Sequence, residues 1–329
     1  MPAMFDMPME RLLDYQGSNP RPADFAEFWA AGLAELDALD PTVDRKPATF
    51  RVPFASCEDL YFTGVGGARV HAKLLRPTAQ RRPGPAVLMF HAYAQSAGDW
   101  TEKLAYASMG FTVAALDCRG QGGTSQDVGG VAGNTLRGHI VRGLGGDPRR
   151  LLYRQIYLDT ALLARIVMQL DSVDDRRVAT LGRSQGGALA LACAALEPRV
   201  ARIASIMPFL SDYRRVWDID LARDGYAQLH EYFRLYDPLH EREEELFTQL
   251  GYIDVQHLCS RIRGRVQMTI GLMDTICPPS TQFAAYNKIT AEKALLLYPD
   301  FAHETPPGHS DRVFQFLAEL SRPGEWTAD

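Results

Sequence analysis

Apolar residues change their spacing along this chain, and the changes divide it. Residues 1–48 read as a helical arm. Pro20, Pro22 and Asp24 lead into Phe25-Ala-Glu-Phe-Trp29 and on to Leu39, with apolar positions three and four apart. Val70, Ala72 and Leu74 then alternate with Arg69, His71 and Lys73, which predicts a half-buried strand. From Pro85 onward, short apolar runs alternate with segments of helical period. Residues 86–90, 112–116, 178–181, 203–207, 266–272 and 294–298 read as strands. Helices are expected over 100–109, closed by Gly110, and over 151–170, 186–196, 280–288 and 310–320. Runs such as Ala86-Val-Leu-Met-Phe90, apolar at every position, suit strands covered on both faces. The alternation therefore predicts an α/β fold: a mostly parallel sheet with helices on both faces and right-handed crossovers. Residues 213–258, charged, aromatic and helical in character, interrupt it. They read as an insertion over the carboxyl edge of the sheet, where ligands bind in such folds. The expected organisation is an arm over 1–48 and a single α/β domain over 49–329, with the helical insertion at about 213–258.

One short segment gives this scaffold a chemistry. Gly182-Arg183-Ser184-Gln185-Gly186-Gly187 lies between an expected strand and an alanine-rich expected helix. A G-x-S-x-G in that context is a nucleophile elbow, and it points to the α/β-hydrolase fold. The serine sits on a strained bend, and the glycines remove Cβ atoms that would clash where strand and helix cross. The helix N-terminus behind the bend favours developing negative charge. Glycine-rich strand–helix turns also bind phosphates, which is the competing reading of these letters.

An elbow serine needs an acid and a base, and in this fold they follow in the order serine, acid, histidine. Past the last acid-bearing loop stand His303, in Phe301-Ala-His-Glu304, and His309, at the start of the final expected helix. His303 is the candidate base, and a helix-capping role suits His309. Asp274, at the end of the 266–272 strand, is the candidate acid, with Asp300 as its rival. His303-Glu304 is not a zinc-protease motif, because Thr305-Pro-Pro307 leaves no second histidine a helical turn on, and no metal site is expected. The oxyanion hole takes one backbone N–H from the residue after the nucleophile, Gln185. The second comes from the loop after the 86–90 strand, where Phe90-His91-Ala92-Tyr93 makes Tyr93 the candidate. His91 reads equally well as a packed loop histidine. No cofactor is expected.

Composition narrows the partners. A formal charge of −5 with mixed signs throughout lacks the basic field that binds nucleic acid. No apolar run approaches the ~20 residues of a membrane span, and the first ten residues lack the charged and apolar regions of a secretory signal. Five scattered cysteines (Cys57, Cys118, Cys193, Cys259, Cys277) suit reduced, buried thiols, so a cytoplasmic protein is expected.

The chain resembles the acetyl xylan esterase and cephalosporin-C deacetylase group, carbohydrate esterase family seven. Arg119-Gly-Gln121, Gly182-x-Ser-Gln-Gly186 and His303-Glu304 stand in the order of that group's signatures. Asn19-Pro-Arg-Pro22, Tyr157-Leu-Asp159, Gly251-Tyr-Ile-Asp254 and Asp274-Thr-x-Cys-Pro-Pro-Ser280 agree with it as well, so the likeness spans nearly the whole chain. The resemblance implies a cytosolic esterase that removes acetyl groups from small acetylated sugars, short xylo-oligosaccharides and in some members cephalosporin C. It also implies a hexamer with active sites facing an inner cavity, and perhydrolysis when hydrogen peroxide replaces water. By position it makes Ser184, Asp274 and His303 the triad, Tyr93 and Gln185 the oxyanion hole, and Arg119 and Gln121 its supports. Two departures stand out: Ala92 where members often have glycine, and Arg183 in place of a small residue before the serine. Arg183 would add charge near the pocket.

Overall fold

The computed structural model describes residues 5–79, 82–128 and 138–321. Its strands are β1 (Asp44–Pro47), β2 (Ala55–Thr63), β3 (Arg69–Pro77), β4 (Gly84–Phe90), β5 (Thr112–Leu116), β6 (Val173–Arg183), β7 (Arg202–Ile206), β8 (Arg265–Gly271) and β9 (Lys293–Tyr298). They form one sheet in the order β1-β2-β3-β5-β4-β6-β7-β8-β9. The first three strands and β5 pair antiparallel, and from β5 across to β9 every pairing is parallel. This is the α/β-hydrolase arrangement, with an antiparallel edge on a parallel sheet.

The helices are α1 (Met9–Asp14), α2 (Phe25–Asp37), α3 (Leu104–Ser108), α4 (Leu152–Met168), α5 (Gln185–Leu196), α6 (Tyr213–Asp218), α7 (Ala227–Tyr236), α8 (Glu243–Leu250), α9 (Pro279–Lys288) and α10 (His309–Ala318). Every residue of α5 is buried, and its run of alanines lets the helix lie close to the sheet on one side and to α4 on the other. Residues 86–88 of β4 are fully buried, as an all-apolar central strand should be.

Two departures from the sequence pattern have clear causes. Strands β1 and β2 carry too little apolar periodicity to announce themselves. All four residues of β1 are polar or proline, and it exists through its pairing with β2. On β3, His71 was expected to face solvent with Arg69 and Lys73. It is buried instead, because Asp117 and Asp59 satisfy its two ring nitrogens at 2.7 and 2.9 Å.

The arm folds back onto its own chain. Phe25 and Trp29 of α2 are fully buried, Trp29 stacks on Tyr157 of α4, and its Nε1–H donates to the Tyr252 carbonyl at 3.0 Å. Ahead of α2, Asp212 accepts hydrogen bonds from the Tyr15 hydroxyl (2.8 Å) and from the Ser18 and Asn19 amides (3.0 and 2.8 Å). The arm's apolar stripe thus finds its cover within the chain and asks for no second copy. Residues 213–258 run as α6, α7 and α8 with short 3₁₀ turns. All five cysteines are free and buried.

Candidate active site

The turn between β6 and α5 places Ser184 at φ 58°, ψ −120°, a conformation that costs a non-glycine residue ~1–3 kcal/mol and survives because its surroundings over-determine it. The Ser184 N–H donates to the Ile206 carbonyl at 2.8 Å, and its carbonyl accepts the Phe209 N–H at 3.0 Å. The neighbouring glycines make the bend possible. A Cβ on Gly182 would strike the backbone of Gly186, and one on Gly186 would strike the Phe90 carbonyl oxygen of β4. Gln185, the first residue of α5, carries one of the N–H groups that a helix N-terminus leaves without an intrahelical acceptor.

From the loops after β8 and β9 come an acid and a base. Nδ1 of His303 lies 2.7 Å from Oδ2 of Asp274, which is fully buried. The Asp274 carboxylate is held from behind: Oδ1 accepts the Ile276 and Cys277 amides at 2.9 and 2.8 Å, and Oδ2 accepts from the Gln282 side chain at 3.3 Å. With Nδ1–H donated to a carboxylate, Nε2 of His303 is the nitrogen left to accept a proton. Asp300 is exposed, and His309, expected to cap a helix, lies buried in the first turn of α10 with its Nε2 2.7 Å from the Thr269 hydroxyl. Thr269 claims that ring, so no cap forms.

Ser184 and His303 line one cavity of about 520 Å³, together with Phe90, Ala92, Tyr93, Arg183, Phe209 and Ile276. Asp224 and Gly225 of the inserted segment form part of its wall. That size falls within the ~300–1,000 Å³ of small-molecule sites.

The loop after β4 that carries Tyr93 is fixed from two directions. Gln121 exchanges hydrogen bonds with the Gln185 side chain at 2.8 and 3.0 Å, and its Oε1 also accepts the Ala94 amide at 2.9 Å. Tyr153, whose hydroxyl burial keeps firmly protonated, donates to Gln185 Oε1 at 2.6 Å. Gln121 therefore ties the Tyr93 loop to the residue after the elbow serine. Arg119 stands a step further back, in a buried two-point pair with Asp159 of α4 at 2.5 and 2.8 Å that anchors the loop bearing Gln121. His91 is a packed loop histidine. Its Nε2 accepts the Cys118 amide at 3.0 Å, so its Nδ1–H donates to the Ala92 carbonyl at 2.8 Å, and burial holds its pKa below the ordinary value.

What holds the Tyr93 ring leaves no local mark in the sequence. Its hydroxyl meets His139 Nδ1 at 2.8 Å and accepts from the Gln228 side chain. His139 donates through Nε2 to the Gly120 carbonyl at 2.8 Å, and burial holds it neutral, so Tyr93 is the donor to Nδ1. Gln228 arrives from the inserted segment. A histidine inventory could have flagged His139, but nothing local marks Gln228. Cys277 was also missed as a site residue. Its thiol, pushed well up by burial and the Asp274 charge, lies within hydrogen-bonding reach of Ser184. Among the described residues, Asp274, Cys277 and His303 are grouped closely enough to hold a metal ion. Burial favours the protonated thiol, and His303 Nδ1 and Asp274 Oδ2 pair with one another at 2.7 Å.

Comparison with known proteins adds the family. A family model described as "Acetyl xylan esterase (AXE1)" matches residues 1–320. The chain belongs to the acetyl xylan esterase family. That membership places it among the carboxylic ester hydrolases. The crystal structure of acetyl xylan esterase 1 from Thermoanaerobacterium sp. JW/SL YS485 is 56% identical, with a TM-score of 0.94 over 96% of this chain and 99% of that one. An acetyl xylan esterase from Paenibacillus sp. R4 is 33% identical, with a TM-score of 0.87 over 95% and 99%. Among curated proteins, the acetyl esterase Axe7A of Xylanibacter ruminicola is 32% identical over 169 residues, 51% of this chain and 36% of the relative's length. The chain thus spans about a third of that acetyl esterase. No helix among the described residues of this family member is long and apolar enough to cross a membrane.

Proposed function

We propose that the protein is a serine esterase that removes acetyl groups from small acetylated carbohydrates, acetylated xylo-oligosaccharides first among them. The observation that carries this reading is the elbow serine sharing one cavity with a histidine whose far nitrogen is bound to a buried carboxylate at 2.7 Å. The names of the related acetyl xylan esterases support the acyl group and the sugar.

The geometry supports the following roles. His303 Nε2 takes the proton from the Ser184 hydroxyl as Oγ attacks the ester carbonyl. The negative charge that forms on the carbonyl oxygen is received by the Gln185 and Tyr93 amides, at the N-terminus of α5. Asp274 holds the imidazole tautomer and stabilises the imidazolium without being protonated itself. The imidazolium returns its proton to the departing sugar oxygen, leaving Ser184 acetylated. Water, deprotonated by the same histidine, then releases acetate. Gln121 and Arg119 keep the two amide donors in register.

The same reading extends to cephalosporin C, whose acetyl ester offers the same carbonyl. It also extends to hydrogen peroxide as the second nucleophile, which would yield peracetic acid from the acetyl-enzyme. A hexamer and a cytoplasmic location belong to the proposal on family resemblance, with the free buried cysteines agreeing with a reducing compartment. The test is a panel of acetylated xylo-oligosaccharides, acetylated monosaccharides, cephalosporin C and aryl acetates, each run against the wild type and Ser184→Ala. Acetate release from the sugars that vanishes in the variant is the expected result. Release from aryl esters alone would reject the carbohydrate assignment.

A further inference from the structure

The residue before the elbow serine reaches the loop that carries the base. Arg183 closes β6, lines the active-site cavity and is half-buried. Its Nη2 donates to the backbone carbonyl of His303, and its Nη1 donates to the Thr305 hydroxyl at 3.1 Å. The guanidinium takes this placement although its Nε–H is left buried without a hydrogen-bond partner. The loop it grips runs from the end of β9 to the start of α10 and has no secondary structure of its own. On its near side the Phe301 carbonyl accepts the Met273 amide at 3.0 Å, and on its far side the Pro306 carbonyl accepts the His309 amide at 3.2 Å. Between those points, two side chains from other elements hold it: Asp274 at the imidazole and Arg183 at the carbonyl.

The two tethers do different work. A single hydrogen bond through Nδ1 leaves an imidazole able to swing about that contact, and a swing carries Nε2 away from the serine. Fixing the backbone of the same residue removes that freedom. Because Arg183 and Ser184 are adjacent in the chain, the tether ties the base to the strand end that presents the nucleophile. We propose that Arg183 is a positioning residue for His303, holding the base in register with Ser184. Its planar fork reaches two acceptors at once, the backbone carbonyl and the threonine hydroxyl, which a small residue at this position cannot do.

This inference rests on the triad reading above, and the test separates the two. Arg183→Ala and Arg183→Lys are assayed on an aryl acetate beside Ser184→Ala, with methylguanidine added in a second series. Arg183→Ala is expected to lower kcat ~10–100-fold, the scale of a sub-ångström to ångström misplacement, with KM changed less than about threefold. Methylguanidine, small enough to enter the open cavity, should recover at least about fivefold of that kcat and leave the wild type unaffected. Arg183→Lys, which keeps one donor, should fall between. A kcat within about twofold of wild type, a loss confined to KM, or a kcat loss that neither lysine nor methylguanidine relieves would overturn the proposal. If Arg183→Ala does not fold, Arg183→Lys carries the same test through its kcat and KM. Activity surviving in Ser184→Ala would remove the triad reading and this proposal with it. A dead Ser184→Ala beside an unaffected Arg183→Ala would remove this proposal alone.

Discussion

Replacing Asp274 by asparagine changes one atom at the centre of the proposed proton path, and the hydrogen bonds around that atom set the expected effect. In the wild type, Oδ1 accepts two backbone amides and Oδ2 accepts from His303 and Gln282. An asparagine keeps its carbonyl oxygen where two backbone N–H groups point, since turning its NH₂ toward them would set donor against donor. The NH₂ then faces the His303 Nδ1 and the Gln282 amide. To meet a donor, the imidazole must place its proton on Nε2, and in that tautomer it cannot take the serine proton. The volume is unchanged and every backbone contact persists, so the fold should hold, with Tm shifted by a few degrees at most. The kinetic cost of the wrong tautomer is ~10⁴-fold in kcat, by analogy with a serine protease triad, with the remainder sustained by the oxyanion hole. The assay is aryl acetate hydrolysis near pH 8. Asp300→Asn, run alongside, should cost less than about tenfold, since its side chain is exposed. A loss below tenfold in Asp274→Asn would refute the reasoning, and a larger loss in Asp300→Asn than in Asp274→Asn would move the acid to Asp300.

Four further outcomes are expected. Gly186→Ala should destabilise the protein by about 3 kcal/mol or more in denaturant unfolding, because its Cβ meets the Phe90 carbonyl; a change under ~1 kcal/mol would contradict the packing of the elbow. Aryl acetate should exceed aryl octanoate in kcat/KM, each poorly fitted increment counting for 10–200-fold (about 1–3 kcal/mol), and equal values would point to an open, lipase-like acyl site. Gln121→Ala should lower kcat about tenfold or more with little change in KM, since it frees the Tyr93 loop from the elbow; a loss in KM alone would contradict that role. Asp254 is fully buried, and lost solvation and then the Asp212 charge push its carboxyl up to about 7, so the native state holds a proton that the unfolded chain, at pKa ~3.9, releases. Its contribution to stability is therefore present below about pH 4 and lost as pH rises to about 7, so the Tm of wild type relative to Asp254→Asn should fall across that window; a constant difference would contradict it.

What the sequence discloses and what it hides follow from how far each signal reaches. The runs at 86–90, 112–116 and 178–181 are apolar at nearly every position because both faces of the sheet are covered, and that leaves a local mark. Strand β1 leaves none, since Asp44-Arg-Lys-Pro47 sits at the sheet edge and owes its shape to β2. His71 looked solvent-facing because alternation cannot see a carboxylate arriving from residue 117. The elbow was legible because chain geometry compels its glycines, and Asp274 and His303 because their strands end at the same edge of the sheet. The hold on the Tyr93 hydroxyl was not, since Gln228 comes from 135 residues away. The apolar stripe of α2 is legible from its spacing, but what covers it is not. It is covered by Tyr157 and Tyr252 of its own chain, so it lends no weight to a hexamer.

The central claim is that Ser184 is the activated nucleophile, and a fluorophosphonate probe tests it most directly, because an unactivated serine does not react. The purified enzyme is labelled at pH 8, digested, and the modified peptide sequenced by mass spectrometry. One phosphonyl group per chain is expected, on Ser184, with labelling slowed by a competing acetylated sugar and abolished in Ser184→Ala. An adduct on another residue, or labelling that persists in the alanine variant, would contradict the assignment.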